Sequence, residues 1–456
     1  MDKEVRMRHL HSICTWCCVF ILLVVCSPAL FGALQGELSV GAARVDVTPS
    51  ADAALPMSGY SSRKKGFEKI HDHIYARAIV LSDGTQEAAI LAWELIGMPD
   101  GVWHELSQRI STELGIPADH LILAAEHVHS APTVAGAYTK GTPATIAYTK
   151  KLEDAAFEAV KQAKAHLQPA RLGFGTGKAY VNINRRERFP DGRWDLGYSP
   201  AGPSDKTLTV LKFESLSGKP IALFINYAVH GVVMGPNNLE VSGDLPGATS
   251  RFVEQYYEGK VPTRSDGGWD LQLKPQEKSD GVVALWTSGA AGDQNPIVMD
   301  SGEDFTMVNA LGRILGEETV RVANDIQNFS SQADIRSSER VIDCPGRKLV
   351  PGPHPRGVFN FEDAAPVNIR LSLLMLNHIA LTGVSGEVLT PIFLRLEKES
   401  PFRHTVMVTH ANGLSGYIPN DAAYNQPSYE ITTTHLKPGC AESGIVNGLV
   451  NMMNQH

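Results

Sequence analysis

Four apolar runs in this chain each stop in a polar loop. They are Leu121-Ile122-Leu123-Ala124-Ala125 before Glu126-His127-Val128-His129-Ser130, Leu223-Phe224-Ile225 before His230-Gly231, Val282-Val283-Ala284-Leu285-Trp286 before Gly292-Asp293, and Ile379-Ala380-Leu381 before Gly386-Glu387. Runs of this length, bounded by Gly, Ser and Pro, predict buried strands. Between them apolar residues recur at helical spacing. Trp103, Leu106, Ile110 and Leu114 form one such face, and Tyr148, Leu152, Ala156, Ala159 and Ala163 a second. Val308, Leu311 and Leu315 open a third, which runs to about Ile326. Strands alternating with helices predict an α/β fold.

A hydrophobic strand that hands a polar residue to a loop is how α/β enzymes build sites at the carboxyl ends of their strands. The four endings nominate His127, His129, His230, Asp293 and Glu387. Side chains alternate faces along a strand, so His127 and His129 are predicted to share one. Imidazole is the commonest metal ligand, and Zn²⁺ favours N and O donors. Three protein ligands and one open position make a catalytic zinc site. Each residue alone is equally at home as a satisfied structural group. It is the repetition of such endings that points to a centre.

In chain order, short segments resemble the neutral/alkaline, non-lysosomal ceramidases. The segments are Gly41-Ala42-Ala43-Arg44-Val45-Asp46-Val47-Thr48-Pro49, His127-Val128-His129-Ser130-Ala131-Pro132 and Asn182-Ile183-Asn184-Arg185. They continue with Ala228-Val229-His230-Gly231, Ser242-Gly243-Asp244, Ser385-Gly386-Glu387, Gly416-Tyr417-Ile418-Pro419 and Gln426-Pro427-Ser428-Tyr429-Glu430. The resemblance spans about residues 38–445. It implies one large α/β catalytic domain of stacked mixed sheets flanked by helices, with Zn²⁺ as cofactor. By the same resemblance His127, His230, Glu387 and Tyr417 would be the zinc ligands, and His129, Arg185 and Tyr429 would surround a scissile amide. The implied substrate is ceramide or a related lipid-like N-acyl amide, reached by peripheral contact with membrane lipid. Zinc suits such a reaction because it acidifies a bound water from a pKa of about 15.7 toward 7.

Two departures from the family pattern stand out. The family hexapeptide carries a serine where this chain has Gly292-Asp293-Gln294-Asn295-Pro296-Ile297. Asn295 cannot act as a serine-type nucleophile, but it can donate and accept hydrogen bonds. Asn295 and Asp293 are therefore expected at the substrate head group, and the head group itself is expected to differ. The second departure is one of length: with the sequence ending at His456, soon after the last motif, the family's immunoglobulin-like C-terminal domain is expected to be absent. Two other readings stay open: a zinc hydrolase of another amide or ester, and a ligand-binding relative without turnover.

The remaining features set the context. The 456 residues are 43% hydrophobic with a net charge of −8, and no basic stripe suggests nucleic acid. No protein partner is evident. Arg6 and Arg8 precede an apolar run at 13–25, shorter than the roughly 20 residues of a spanning helix. Residues 1–33 are read as a signal peptide in preference to an anchor, for a secreted or periplasmic protein, and 34–456 as the catalytic domain. Past that segment only Cys344 and Cys440 remain, able to pair in an oxidising compartment. Segments 258–279 and 345–366 read as surface excursions.

Overall fold

The computed structural model describes residues 36–260, 281–299, 304–352 and 358–456. Its main sheet is mixed. From one edge the strands run Val283–Ser288, Pro220–Tyr227, Thr207–Ser215, Gln168–Lys178, Ser39–Asp46, Tyr75–Ser82, Glu87–Trp93 and Leu121–Ala125. The first and last neighbouring pairs are parallel and the pairs between them antiparallel. A second sheet is built from Ile335–Leu349, Phe361–Leu376, Ile379–Val384 and His404–Val408.

The two sheets pack face to face. Along Glu87–Trp93, Ala88, Ile90 and Ala92 join a core with Leu374, Leu381, Val406 and Val408 of the second sheet. The alternate residues Ala89, Leu91 and Trp93 face the other way, against Leu152, Ala156 and Val160 of helix Pro143–Ala165. Helices Asp244–Tyr257 and Thr306–Asp325 cover the other half of that outer face. Helices Thr390–Glu399 and Ala441–Met453 cover the outer face of the second sheet. The order is helix, sheet, sheet, helix. A strand with a layer on each side buries both faces, which is why the apolar runs are uninterrupted. Each fully buried Leu, Ile or Phe contributes roughly 1.5–3 kcal/mol.

The three amphipathic faces all form. The Trp103 face begins in helix Asp100–Arg109 and ends in a π-helical turn, Ile110–Leu114, closed by Gly115 at φ 73°. One expectation is corrected. Much of 345–366 is not a surface loop but part of a long antiparallel hairpin between Ile335–Leu349 and Phe361–Leu376. Its ladder shifts register between Cys344 and Gly346, so Pro345 and Pro366 fall where no ladder donor is needed. Most of 258–279 lies outside the described residues. Cys344 and Cys440 form a disulfide that ties this hairpin to the start of the last helix.

Candidate metal centre

Strand Leu121–Ala125 ends before the histidine pair, and the backbone turns left-handed at His127, φ 60°. Strand alternation is therefore not what brings His127 and His129 together, contrary to the sequence expectation. Instead Val128 forms a parallel bridge with Gly231, and the His129 N–H donates to the Gly231 carbonyl at 3.1 Å. That bridge lays the end of one strand beside the end of Pro220–Tyr227, so His230 arrives next to the pair. Ring centroids of His127 and His230 are 4.7 Å apart, and those of His127 and His129 are 4.8 Å apart.

The turn after His230 is held from below by the Ser242-Gly243-Asp244 motif. The buried Asp244 carboxylate accepts from the N–H groups of Val233 and Met234 at 3.0 Å and of Leu245 at 2.8 Å. Glu387 follows strand Ile379–Val384 of the second sheet and opens a separate two-stranded pair. It pairs in parallel register with Tyr417, which places the two side by side. His410, at the end of strand His404–Val408, stacks on the His127 ring at 4.0 Å.

Hydrogen bonds fix the imidazole tautomers. His127 Nδ1 lies 2.8 Å from the Ile96 carbonyl, and His230 Nδ1 lies 3.1 Å from that of Gln294. A carbonyl only accepts, so both Nδ1 atoms carry the proton, and in the neutral rings both Nε2 atoms point lone pairs into the site. Glu387 Oε2 stands 3.2 Å from His127 Nε2 and 3.4 Å from His230 Nε2, and no hydrogen-bond donor reaches it. These three atoms converge in a buried place; His129 Nε2 stands 3.2 Å from His127 Nε2 and Arg185 Nη1 3.2 Å from His230 Nε2, while Glu387 Oε2 has no hydrogen-bond partner. In a tetrahedral site with ligand bonds of 2.0–2.1 Å, neighbouring donor atoms lie about 3.3 Å apart. These residues fit a zinc ion, and their outer nitrogens are anchored as those of metal-ligating histidines usually are. His127, Glu387 and His410 also lie close enough to share an ion, as do His127, His129 and His230.

The electrostatics agree. Burial lowers the pKa of His230 to about 4, helped by Arg185, and holds His129 and His410 well below the usual imidazole value. Burial alone would raise Glu387; His127 and His230 hold its carboxyl well below the usual range when they carry a proton toward it, and with neutral rings that stabilisation falls to a cation in the site. His129 and His410 differ from His127 and His230 in that their Nδ1 atoms have no hydrogen-bond partner. Gly59, at φ 95°, packs so closely against this ring that a Cβ there would fall 2.3 Å from Nδ1.

Arg185 stands behind the cluster on strand Asn182–Arg188, which pairs with Gln294–Pro296. Its Nε donates to Glu430 at 2.7 Å, Nη1 to Asn295 Oδ1 at 3.1 Å and Nη2 to the Tyr417 hydroxyl at 2.9 Å, while Nη1 is 3.2 Å from His230 Nε2. Burial would lower the guanidinium pKa, but Tyr417 and Glu430 raise it. The side chain therefore stays a fixed cation. Asn295 reaches the site through this arginine. Asp293 turns the other way. Its carboxylate accepts from Asn184 Nδ2 at 3.0 Å and from the Thr390 N–H at 3.0 Å and hydroxyl at 2.7 Å, and it lines a separate hollow with Arg186 and Trp194.

A cavity of about 350 Å³ opens onto the cluster, lined by His127, His129, Glu387, Tyr138, Tyr417 and Tyr429 among others. The Tyr417 and Tyr429 rings meet edge to face at 5.7 Å. Three members were not read from the sequence: His410, Glu430 and Tyr138. His410 ends a short apolar strand just as the nominated histidines do, so the same signal could have found it.

Stacked mixed sheets with histidines and a carboxylate at their strand ends define an α/β protein with a candidate metal centre. The family model of neutral/alkaline non-lysosomal ceramidase, N-terminal, matches residues 38–313, more than half of the chain. The chain belongs to that family. It is 27% identical over 290 residues to a neutral ceramidase of Pseudomonas aeruginosa (60% of this chain, 39% of that protein). It is 25% identical over 373 residues to that of Drosophila pseudoobscura pseudoobscura (72% and 50%). The matches thus span half or less of these relatives' own length. A solved structure described as ceramidase complexed with C2 superposes with a TM-score of 0.74 at 18% identity, covering 91% of this chain and 75% of that one.

Proposed function

We propose that this chain is a zinc-dependent amidohydrolase that cleaves the N-acyl amide of ceramide or a related N-acyl lipid. The observation that carries this reading is the convergence of His127 Nε2, His230 Nε2 and Glu387 Oε2 in one buried place, the carboxylate oxygen being left without a hydrogen-bond partner. Family membership and the ceramide-cleaving names of the relatives support it. His127, His230 and Glu387 would hold the ion, with Tyr417 as the further ligand. A zinc ion there would supply Lewis acidity and an acidified water at neutral pH. The chain's own groups would do the rest. His129, buried and with one nitrogen unpartnered, would pass a proton to the leaving amine. Tyr429 would donate to the developing oxyanion. Arg185 would orient Tyr417 through the contact at 2.9 Å and offset part of the burial that pushes the Tyr417 hydroxyl well above its usual range. Asp293 would position strand and helix ends without meeting substrate.

One observation favours a head group other than that of ceramide. Asn295 stands at the position of the family serine, and its Oδ1 accepts from Arg185 Nη1. The exposed rings of Tyr138 and Tyr429, 56% and 43% accessible, sit at the cavity mouth, where a lipid surface would be met. The disulfide suits an oxidising compartment and supports a secreted or periplasmic location. No helix among the described residues is long and apolar enough to cross a membrane. Residues 1–33 are proposed as the signal peptide and 34–456 as the catalytic domain.

Elemental analysis of protein purified without chelator, with a panel of N-acyl amides and esters, tests the reading. About one Zn²⁺ per chain is expected, lost together with activity in His127→Ala or His230→Ala. Metal-free protein that hydrolyses the amides would refute it.

A further inference from the structure

We infer that Tyr138 is a positioning residue for the metal centre, acting through Glu387. Its hydroxyl donates to Glu387 Oε1 at 2.7 Å, while Glu387 Oε2 is the oxygen that faces His127 and His230. The two carboxylate oxygens thus have different tasks. One is held by a phenol, and the other is left to a cation. A carboxylate without that anchor can rotate and present either oxygen, or both, to the site. Anchoring partners of this kind hold metal ligands in orientation, and their loss typically costs 10–100-fold in metal affinity or activity.

The local backbone serves this contact. Tyr138 sits at φ 61°, a left-handed conformation that non-glycine residues rarely adopt, in a loop between Gly136 at φ 89° and Gly141 at φ 77°. The Gly136 N–H closes the turn on the Thr139 carbonyl at 2.8 Å. The turn stands the ring up out of the surface while the hydroxyl points down into the cavity. The residue is 56% exposed, yet its one polar atom is committed to a buried carboxylate. A tyrosine kept only for packing would bury its ring and wet its hydroxyl, which is the reverse.

This inference rests on the proposed zinc reading, so its test separates the two. Zinc affinity is measured by competition with a chromogenic chelator for the wild type, Glu387→Ala and Tyr138→Phe. Melting of the metal-free forms checks folding. Tyr138→Phe keeps the ring and removes only the hydroxyl. The expected result is a 10–100-fold weaker affinity for Tyr138→Phe, an unchanged metal-free melting temperature, and a kcat that added zinc restores. A merely structural role would lower the metal-free melting temperature, and added zinc would not restore kcat. If Glu387→Ala loses zinc but Tyr138→Phe binds it as tightly as the wild type, the inference fails and the proposed function stands. If the wild type and Glu387→Ala bind zinc equally, Glu387 is not a ligand, and both fall.

Discussion

Tyr417 and Tyr429 share one edge-to-face contact but are expected to fail differently when their hydroxyls are removed. Tyr417 has its oxygen on Arg185 and its strand paired with that of Glu387, so Tyr417→Phe should lower zinc affinity. Tyr429 leans over the cavity mouth, so Tyr429→Phe should keep zinc and cut kcat and kcat/KM together by roughly 10²–10³. Zinc titration and steady-state kinetics on both variants distinguish the roles, and full activity in both would leave only aromatic packing. The buried imidazoles make a second prediction. His129, His230 and His410 all have folded pKa values below the unfolded value of about 6.5, His230 at about 4. Between those values the unfolded chain binds more protons than the folded one, so stability rises with pH across the window. Zinc-free protein should therefore lose a few kcal/mol as pH falls from about 6.5 toward 4, read as a falling urea midpoint. Zinc binding should weaken over the same window, because ligands must be deprotonated. A midpoint unchanged between pH 7 and 5 would contradict this account.

At the scale of elements, the centre is assembled by short pairings between strand ends rather than by the sheets themselves. Val128 against Gly231 joins two loops, and Glu387 against Tyr417 joins two more. The segment around Gly59 closes the far side. Because a Cβ there would fall 2.3 Å from His129 Nδ1, Gly59→Ala must displace that ring or the backbone. His127 and His230 stay anchored on the Ile96 and Gln294 carbonyls. Gly59→Ala should therefore retain zinc, measured by elemental analysis, while kcat falls. Loss of both together would mean that His129 and the metal ligands move as one unit.

At the scale of the whole molecule, the disulfide joins residues 96 apart and fastens the last helix to the long hairpin. Replacing both cysteines, Cys344→Ser with Cys440→Ser, should cost roughly 2–5 kcal/mol in urea unfolding. Catalysis should persist in the folded fraction, because the pair lies outside the cavity lining. A midpoint equal to that of the wild type would show that the closed loop adds nothing. The apolar strands, the helical faces and the residues nominated for a centre were legible in the sequence, whereas the stacked layers came only through the resemblance. A strand covered on both faces must be apolar throughout, so the points where His127, His230 and Glu387 break the runs were visible as strand ends. Helical faces were visible for the same reason, since one-sided burial imposes a period. Convergence was not visible. The approach of His127 to His230 depends on one bridge, and that of Glu387 to Tyr417 on one register, both between segments distant in the chain. Asp293 was misplaced because a strand-end carboxylate can turn to either side, and here the Thr390 donors hold it away. Tyr138 carried no periodic signal at all, since a loop residue owes its direction to local dihedral angles. Composition and period decide which residues are buried. Only the tertiary structure decides which buried atoms face one another, because that depends on contacts that local sequence does not encode.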